Sequence, residues 1–142
     1  MRTYTVAAGR QAARPLVSPL PRFGLITGAW KAQLADGWDY ELPTNASQWV
    51  KLCGDTFNPI GRDKNAVMLA ARHYNGRLEV TPYLNIQGER LFPESPGAYR
   101  GKWPVVDVEA GKDIFFYYDV IAGKVHTHID YEGEVYELEM PY

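Results

Sequence analysis

His126-Thr127-His128, followed by Asp130, is the group in this 142-residue chain best suited to chemistry. Residues two apart in a strand point the same way, so His126, His128 and Asp130 share one face, while Val125, Thr127, Ile129 and Tyr131 share the other. Two imidazoles and a carboxylate on one face can hold a divalent metal. The plainer reading is a solvated strand face with histidines as polar filler, and it is the one the sequence favours. A second group lies on a strand pair around Asn75-Gly76. There Arg72, Tyr74, Glu79 and Tyr83 fall on one face, where aromatic rings could stack on a sugar and charged groups bond its hydroxyls. The bland alternative is an exposed sheet face with an ordinary Arg72–Glu79 cross-strand pair, worth about 0.2–1 kcal/mol.

Other constellations are weaker. Glu137 and Glu139 share a strand face with Val135, and Asp119 falls on the neighbouring strand, but glycoside hydrolysis needs two carboxylates about 5–9 Å apart across a groove. A glutamate-rich edge strand more simply resists edge-to-edge aggregation. Cys53 has no sequence neighbour that would activate it and reads as a buried structural thiol. No phosphate-binding glycine loop, Gly-x-Ser-x-Gly elbow or His-Glu-x-x-His helix occurs. The expectation is therefore a protein without catalytic activity and without a cofactor.

The elements that would position these groups are strands. Aromatics number 19, beside 13 Gly and 10 Pro, a composition that suits pleated surfaces joined by tight turns and disfavours long helices. Asn75-Gly76 readily takes the positive φ angles of a two-residue hairpin, so residues 66–74 and 77–86 should pair with Tyr74 opposite Arg77, Arg72 opposite Glu79 and Met68 opposite Tyr83. One face then carries Val67, Leu69, Ala71, Leu78, Val80, Pro82 and Leu84 and should be core. The other carries Arg72, Tyr74, Arg77, Glu79, Thr81, Tyr83 and Asn85 and should meet solvent. Pro82 lacks a ladder donor, which predicts an edge or bulged strand. Further strands are expected over 24–31, 38–42, 49–53, 103–109, 113–121, 124–131 and 134–140, with polar or turn-rich stretches over 55–65 and 92–102. Roughly eight short, evenly spaced strands predict an all-β single domain, an antiparallel β-sandwich or jelly-roll-like fold.

Two resemblances attach to these residues. Extended to Glu132, the spacing His126-x-His128-x-x-x-Glu132 resembles the first metal motif of the cupins, which implies a jelly roll and a metal-dependent enzyme using those three residues. No second histidine motif follows in the ten residues after Glu132. Trp49-Val50-Lys51-Leu52-Cys53-Gly54, then Lys64-Asn65-Ala66-Val67 and the hairpin through Gly88, resemble a group of small uncharacterised bacterial proteins. That resemblance covers residues 49–88, implies a β-rich fold and supplies no activity.

Hydrophobic residues make up 46% and charged residues 23%, enough to bury a real core and too little charge for a disordered chain. One cysteine excludes an internal disulfide framework. No run approaches the 18 apolar residues of a membrane span, and residues 1–22 lack a secretory apolar centre, so synthesis in the cytoplasm without membrane association is expected. Charge is uneven: +5 over residues 1–35, balanced over 36–102, and −7 over 103–142. A negative total, with basic residues clustered at one end, speaks against nucleic acid.

The basic end, with Arg2, Arg10, Arg14 and Arg22 beside Pro15, Pro19 and Pro21, reads as an extended arm over 1–22 ahead of a sandwich over 23–142. Such an arm suits an acidic surface, either the chain's own C-terminal sheet or a neighbouring subunit's. The leading functional expectation is a structural protein of a larger assembly, most plausibly a virion component in a capsid decoration, tail or fibre base. A carbohydrate-binding module using the hairpin face is the rival.

Overall fold

In the computed structural model, residues 5–6, 13–14, 27–35, 49–57, 65–95 and 102–141 are described. Eleven strands and no helix occur among them: β1 (Thr5–Val6), β2 (Ala13–Arg14), β3 (Thr27–Ala32), β4 (Val50–Thr56), β5 (Ala66–Tyr74), β6 (Arg77–Ile86), β7 (Glu89–Leu91), β8 (Val106–Val108), β9 (Ile114–Ile121), β10 (Lys124–Tyr131) and β11 (Glu134–Pro141). The expected strand over 38–42 lies outside the described residues. So do Arg2, Arg10 and Arg22 of the expected arm. The backbone of Arg14 is part of β2, which pairs antiparallel with β1.

Turn chemistry organises the rest. Asn75 and Gly76 take φ angles of 52° and 73°, the mirror-image turn whose twist matches that of the flanking strands. The β5–β6 ladder then runs in the expected register, Tyr74 opposite Arg77 through Ala66 opposite Asn85. Gln87-Gly88, Ala122-Gly123 and Glu132-Gly133 repeat the same pair of positive φ angles. Each closes a two-residue hairpin, and the result is two antiparallel meanders. One sheet has the order β4-β5-β6-β7, with β8 also on β6; the other has the order β11-β10-β9-β3. The two sheets pack into a β-sandwich. Strand β7 falls between the stretches assigned from sequence, and β4 extends through Thr56 into the expected polar loop.

The core lies between the sheets. Val67, Leu69, Ala71, Val80 and Leu84 face inward from one sheet, and Ile114, Phe116, Tyr118, Val125, Ile129 and Met140 from the other. Strict alternation along β9 and β10 brings this about, burying every second residue. A polar contact also joins the layers. Asp55 on β4 is buried, and its Oδ2 accepts hydrogen bonds from Tyr118 Oη at 2.9 Å and Trp30 Nε1 at 3.4 Å. Gly28 makes room for this, since a Cβ there would stand 2.4 Å from the Tyr118 ring. Tyr118→Phe removes the shorter bond from a buried carboxylate and should cost roughly 1–3 kcal/mol of stability, read as a lower urea-denaturation midpoint at unchanged slope.

Pro82 belongs to an interior strand, against the expectation of an edge or a bulge. Strand β6 pairs through residues 78–80 with β8 and through 84–86 with β7, and Pro82 sits in the gap between the two ladders. Its carbonyl accepts Trp103 Nε1 at 2.6 Å there. The missing N–H falls where no strand lies opposite.

Candidate functional site

The hairpin face expected to meet solvent is largely covered. Trp49, Phe92 and Val105 pack over Met68, Ala70 and Tyr83, and the Thr81 hydroxyl donates to the Pro104 carbonyl at 2.7 Å. Arg72 is 9% exposed and Tyr83 6%. The Arg72 guanidinium lies 4.1 Å from the Trp49 ring centroid and 4.5 Å from that of Tyr74. Its Nε donates to Glu79 Oε1 at 3.0 Å, and its Nη1 to Glu94 Oε1. The other Glu94 oxygen accepts Trp49 Nε1 at 3.0 Å. Tyr83 stacks on Phe92 with centroids 5.4 Å apart, under Lys51 Nζ. The structure thus brings Arg72, Tyr74 and Glu79 together, but as the inside of a cation–π and ion-pair network. A sugar needs an open ring face, and Tyr83 offers almost none. Trp49 and Glu94 complete this network from segments whose sequence gives no sign of it.

Cys53 likewise offers no nucleophile. Burial first, and the nearby Asp55 carboxylate second, push its thiol up to about 12, against a backbone hydrogen bond with Leu69 that lowers it. The thiol stays protonated at neutral pH.

A different arrangement forms on the outer face of the sheet containing β10. As the alternation requires, His126, His128 and Asp130 point away from the core. Register then supplies their neighbours: Asp119 and Glu139 flank His126, and Tyr117 and Glu137 flank His128. The two imidazole centroids are 4.1 Å apart, and the Tyr117 ring stacks on His128 at 4.5 Å with 9° between planes. His128 Nδ1 lies 3.1 Å from Glu137 Oε1. One potential ligand atom from each of His126, His128 and Glu137 falls within 4.8 Å of the other two.

Glu132 does not join this group, which corrects the sequence expectation. It occupies the turn after β10 with a φ of 52° and pairs with Lys112 Nζ at 3.1 Å. Counting four residues along the strand runs off its end, whereas cross-strand pairing delivers Glu137. The Glu132-Gly133 turn held the signal, because it sets Tyr131 opposite Glu134 and hence His128 opposite Glu137. Glu139 is drawn aside by Lys124, 2.9 Å away, whose hydrogen bond and charge hold the Glu139 carboxyl below its ordinary value.

The same face carries the exposed large hydrophobic residues among those described: Phe115 at 43%, Ile121 at 58% and Val135 at 49%. Beside them, Gln33, Lys112, Asp113, Asp130 and Glu132 line a shallow depression with Phe115. Lys112 is paired with Glu109 and Glu132, and Asp113 with Lys31, which leaves the depression with an excess of acidic groups.

Comparison with protein-family models, curated proteins and solved structures finds no match to this chain. Among the described residues no helix is long and apolar enough to cross a membrane.

Proposed function

We propose that this protein is a non-enzymatic structural component of a larger assembly and that the outer face of the β11-β10-β9-β3 sheet is its contact surface. The observation that carries this reading is the position of Phe115, Ile121 and Val135, all exposed and all on that one face. Isolated exposed apolar residues are ordinary, but Phe115 and Val135 flank Asp130 across three neighbouring strands, and with Ile121, Asp119 and Glu137 on the same face the surface has both an apolar and an acidic component. Burying the former against a partner is favourable, and the latter selects a basic partner. The chain itself supplies one, since its first 35 residues carry +5. A second copy is therefore a chemically suitable neighbour, as is another protein subunit with a basic patch. Within this reading the finer proposal is a virion component in a decoration, tail or fibre-base position, where a β-sandwich serves by contact alone.

Light scattering of the full-length chain at low and high salt tests the surface. The expected result is an oligomer that weakens as salt screens the charges, and that Phe115→Arg with Val135→Arg converts to monomer while the far-ultraviolet spectrum stays the same. A wild-type chain that is monomeric at every salt and attainable concentration discards self-assembly. For the virion proposal, purified particles should contain the chain at fixed copy number by mass spectrometry, and its absence from them discards that proposal.

A further inference from the structure

The geometry points to a divalent transition-metal site on the outer sheet face, with His126, His128 and Glu137 as ligands. It stands apart from the assembly reading and does not need it. Three observations support it. First, the three side chains are held close by the fold: His126 and His128 by the two-residue period of β10, and His128 and Glu137 by direct cross-strand pairing. Their ligand atoms lie within 4.8 Å of one another, and a common ion at metal–ligand distances of about 2.0–2.2 Å requires separations of roughly 3–3.5 Å. Closing that difference falls to the side chains of the exposed Glu137 and the half-buried His126.

Second, the side chain of His128 is only 12% exposed, and its Nδ1 is buried without a hydrogen-bond partner, although Glu137 Oε1 is 3.1 Å away. A buried polar atom left so is rare in folded proteins, and a cation between the imidazole and the carboxylate would satisfy both. Third, the surroundings select and orient. Tyr117 stacks on His128 and holds the plane of its ring. Lys124 engages Glu139, which leaves three protein ligands and open positions for water or another donor.

Donor chemistry sets the class of ion. Two imidazoles and one carboxylate suit zinc, nickel, copper or cobalt, whereas magnesium and calcium prefer all-oxygen sites. Neutral imidazole is the binding form, so affinity falls as the histidines protonate.

Calorimetric titration of the untagged, chelator-treated full-length chain with zinc chloride, and separately nickel chloride, tests this. One saturable equivalent is expected for each, with magnesium chloride giving none. His128→Ala should weaken zinc binding by more than the roughly 10- to 100-fold that loss of an outer-shell partner costs, Glu137→Gln should weaken it about tenfold, and His73→Ala, on the other sheet, should leave it unchanged. As a second readout, nickel should broaden the His126 and His128 ring resonances ahead of those of His73. His128 and Glu137 lie on the outer face of their sheet, and thermal melts of all three metal-free variants check that they fold. An absent zinc equivalent, an affinity in His128→Ala equal to wild type, or broadening that begins at His73 overturns the site.

Discussion

Arg72→Ala is expected to lower stability by roughly 4 kcal/mol and to do so without any ligand present. Removing one partner of a buried ion pair costs about 3–5 kcal/mol because it strands the other charge. Here the guanidinium serves two carboxylates, Glu79 with its side chain 13% exposed and Glu94 at 35%. Glu94 regains some water when released, which places the effect at the lower end of that range. Loss of the guanidinium from between Trp49 and Tyr74 adds roughly 1 kcal/mol for partly desolvated cation–π contacts. Arg72→Lys should recover only part of the loss, since an ammonium supplies no planar fork to bridge two carboxylates while stacking. Urea denaturation reads this directly as a fall in midpoint. The contrary result, an unchanged midpoint with selective loss of glycan binding on an array, would restore the carbohydrate-binding reading of this face.

Gly54→Ala should be comparably damaging, by about 3 kcal/mol or more, for a backbone reason. Gly54 has a φ of +154°, and a Cβ there would lie 2.2 Å from the Val67 carbonyl oxygen and 2.7 Å from Met68 Cα. Both are main-chain atoms of the adjacent strand, so no rotamer change relieves the clash. Strain in the backbone costs about 1–3 kcal/mol and overpacking a similar amount. The β4–β5 register shifts between Lys51 and Cys53, next to this glycine, so the ladder is already irregular there. Amide hydrogen exchange should show protection lost first along β4 and the facing part of β5, with the β9–β11 meander least affected. Equal loss in both sheets would mean that the sandwich unfolds as one unit.

Both effects arise at places where sequence and structure part company. Local chemistry made much of the fold legible. Each X-Gly pair admits two consecutive positive φ angles, and a two-residue turn leaves one register open to its strands, so the β5–β6 ladder follows from Asn75-Gly76. Alternation in β10 likewise fixes His126 and His128 as a same-face pair. Glu137 was within reach of the same arithmetic applied to Glu132-Gly133, but a motif that counts along one strand does not look across to the next.

What a residue meets beyond its own hairpin is a different matter. Period-two alternation divides β5 and β6 into two faces, yet it carries no information about what covers either one. Arg72 and Tyr83 read as solvent-facing because they are polar or amphipathic, and they are buried because Trp49, Phe92 and Glu94 arrive from other segments to cover them. Pro82 reads as an edge residue because it lacks an amide hydrogen, and it is interior because β7 and β8 leave a gap opposite it. The amino-acid sequence by itself therefore determined an all-β chain, its hairpin registers and the pairing of the two histidines, all of which depend on backbone angles and side-chain direction within a few residues. Only the tertiary structure decided which sheet face is open, which carboxylate joins the histidines and which arginine is buried, because those depend on packing between segments whose separation along the chain sets no distance in space.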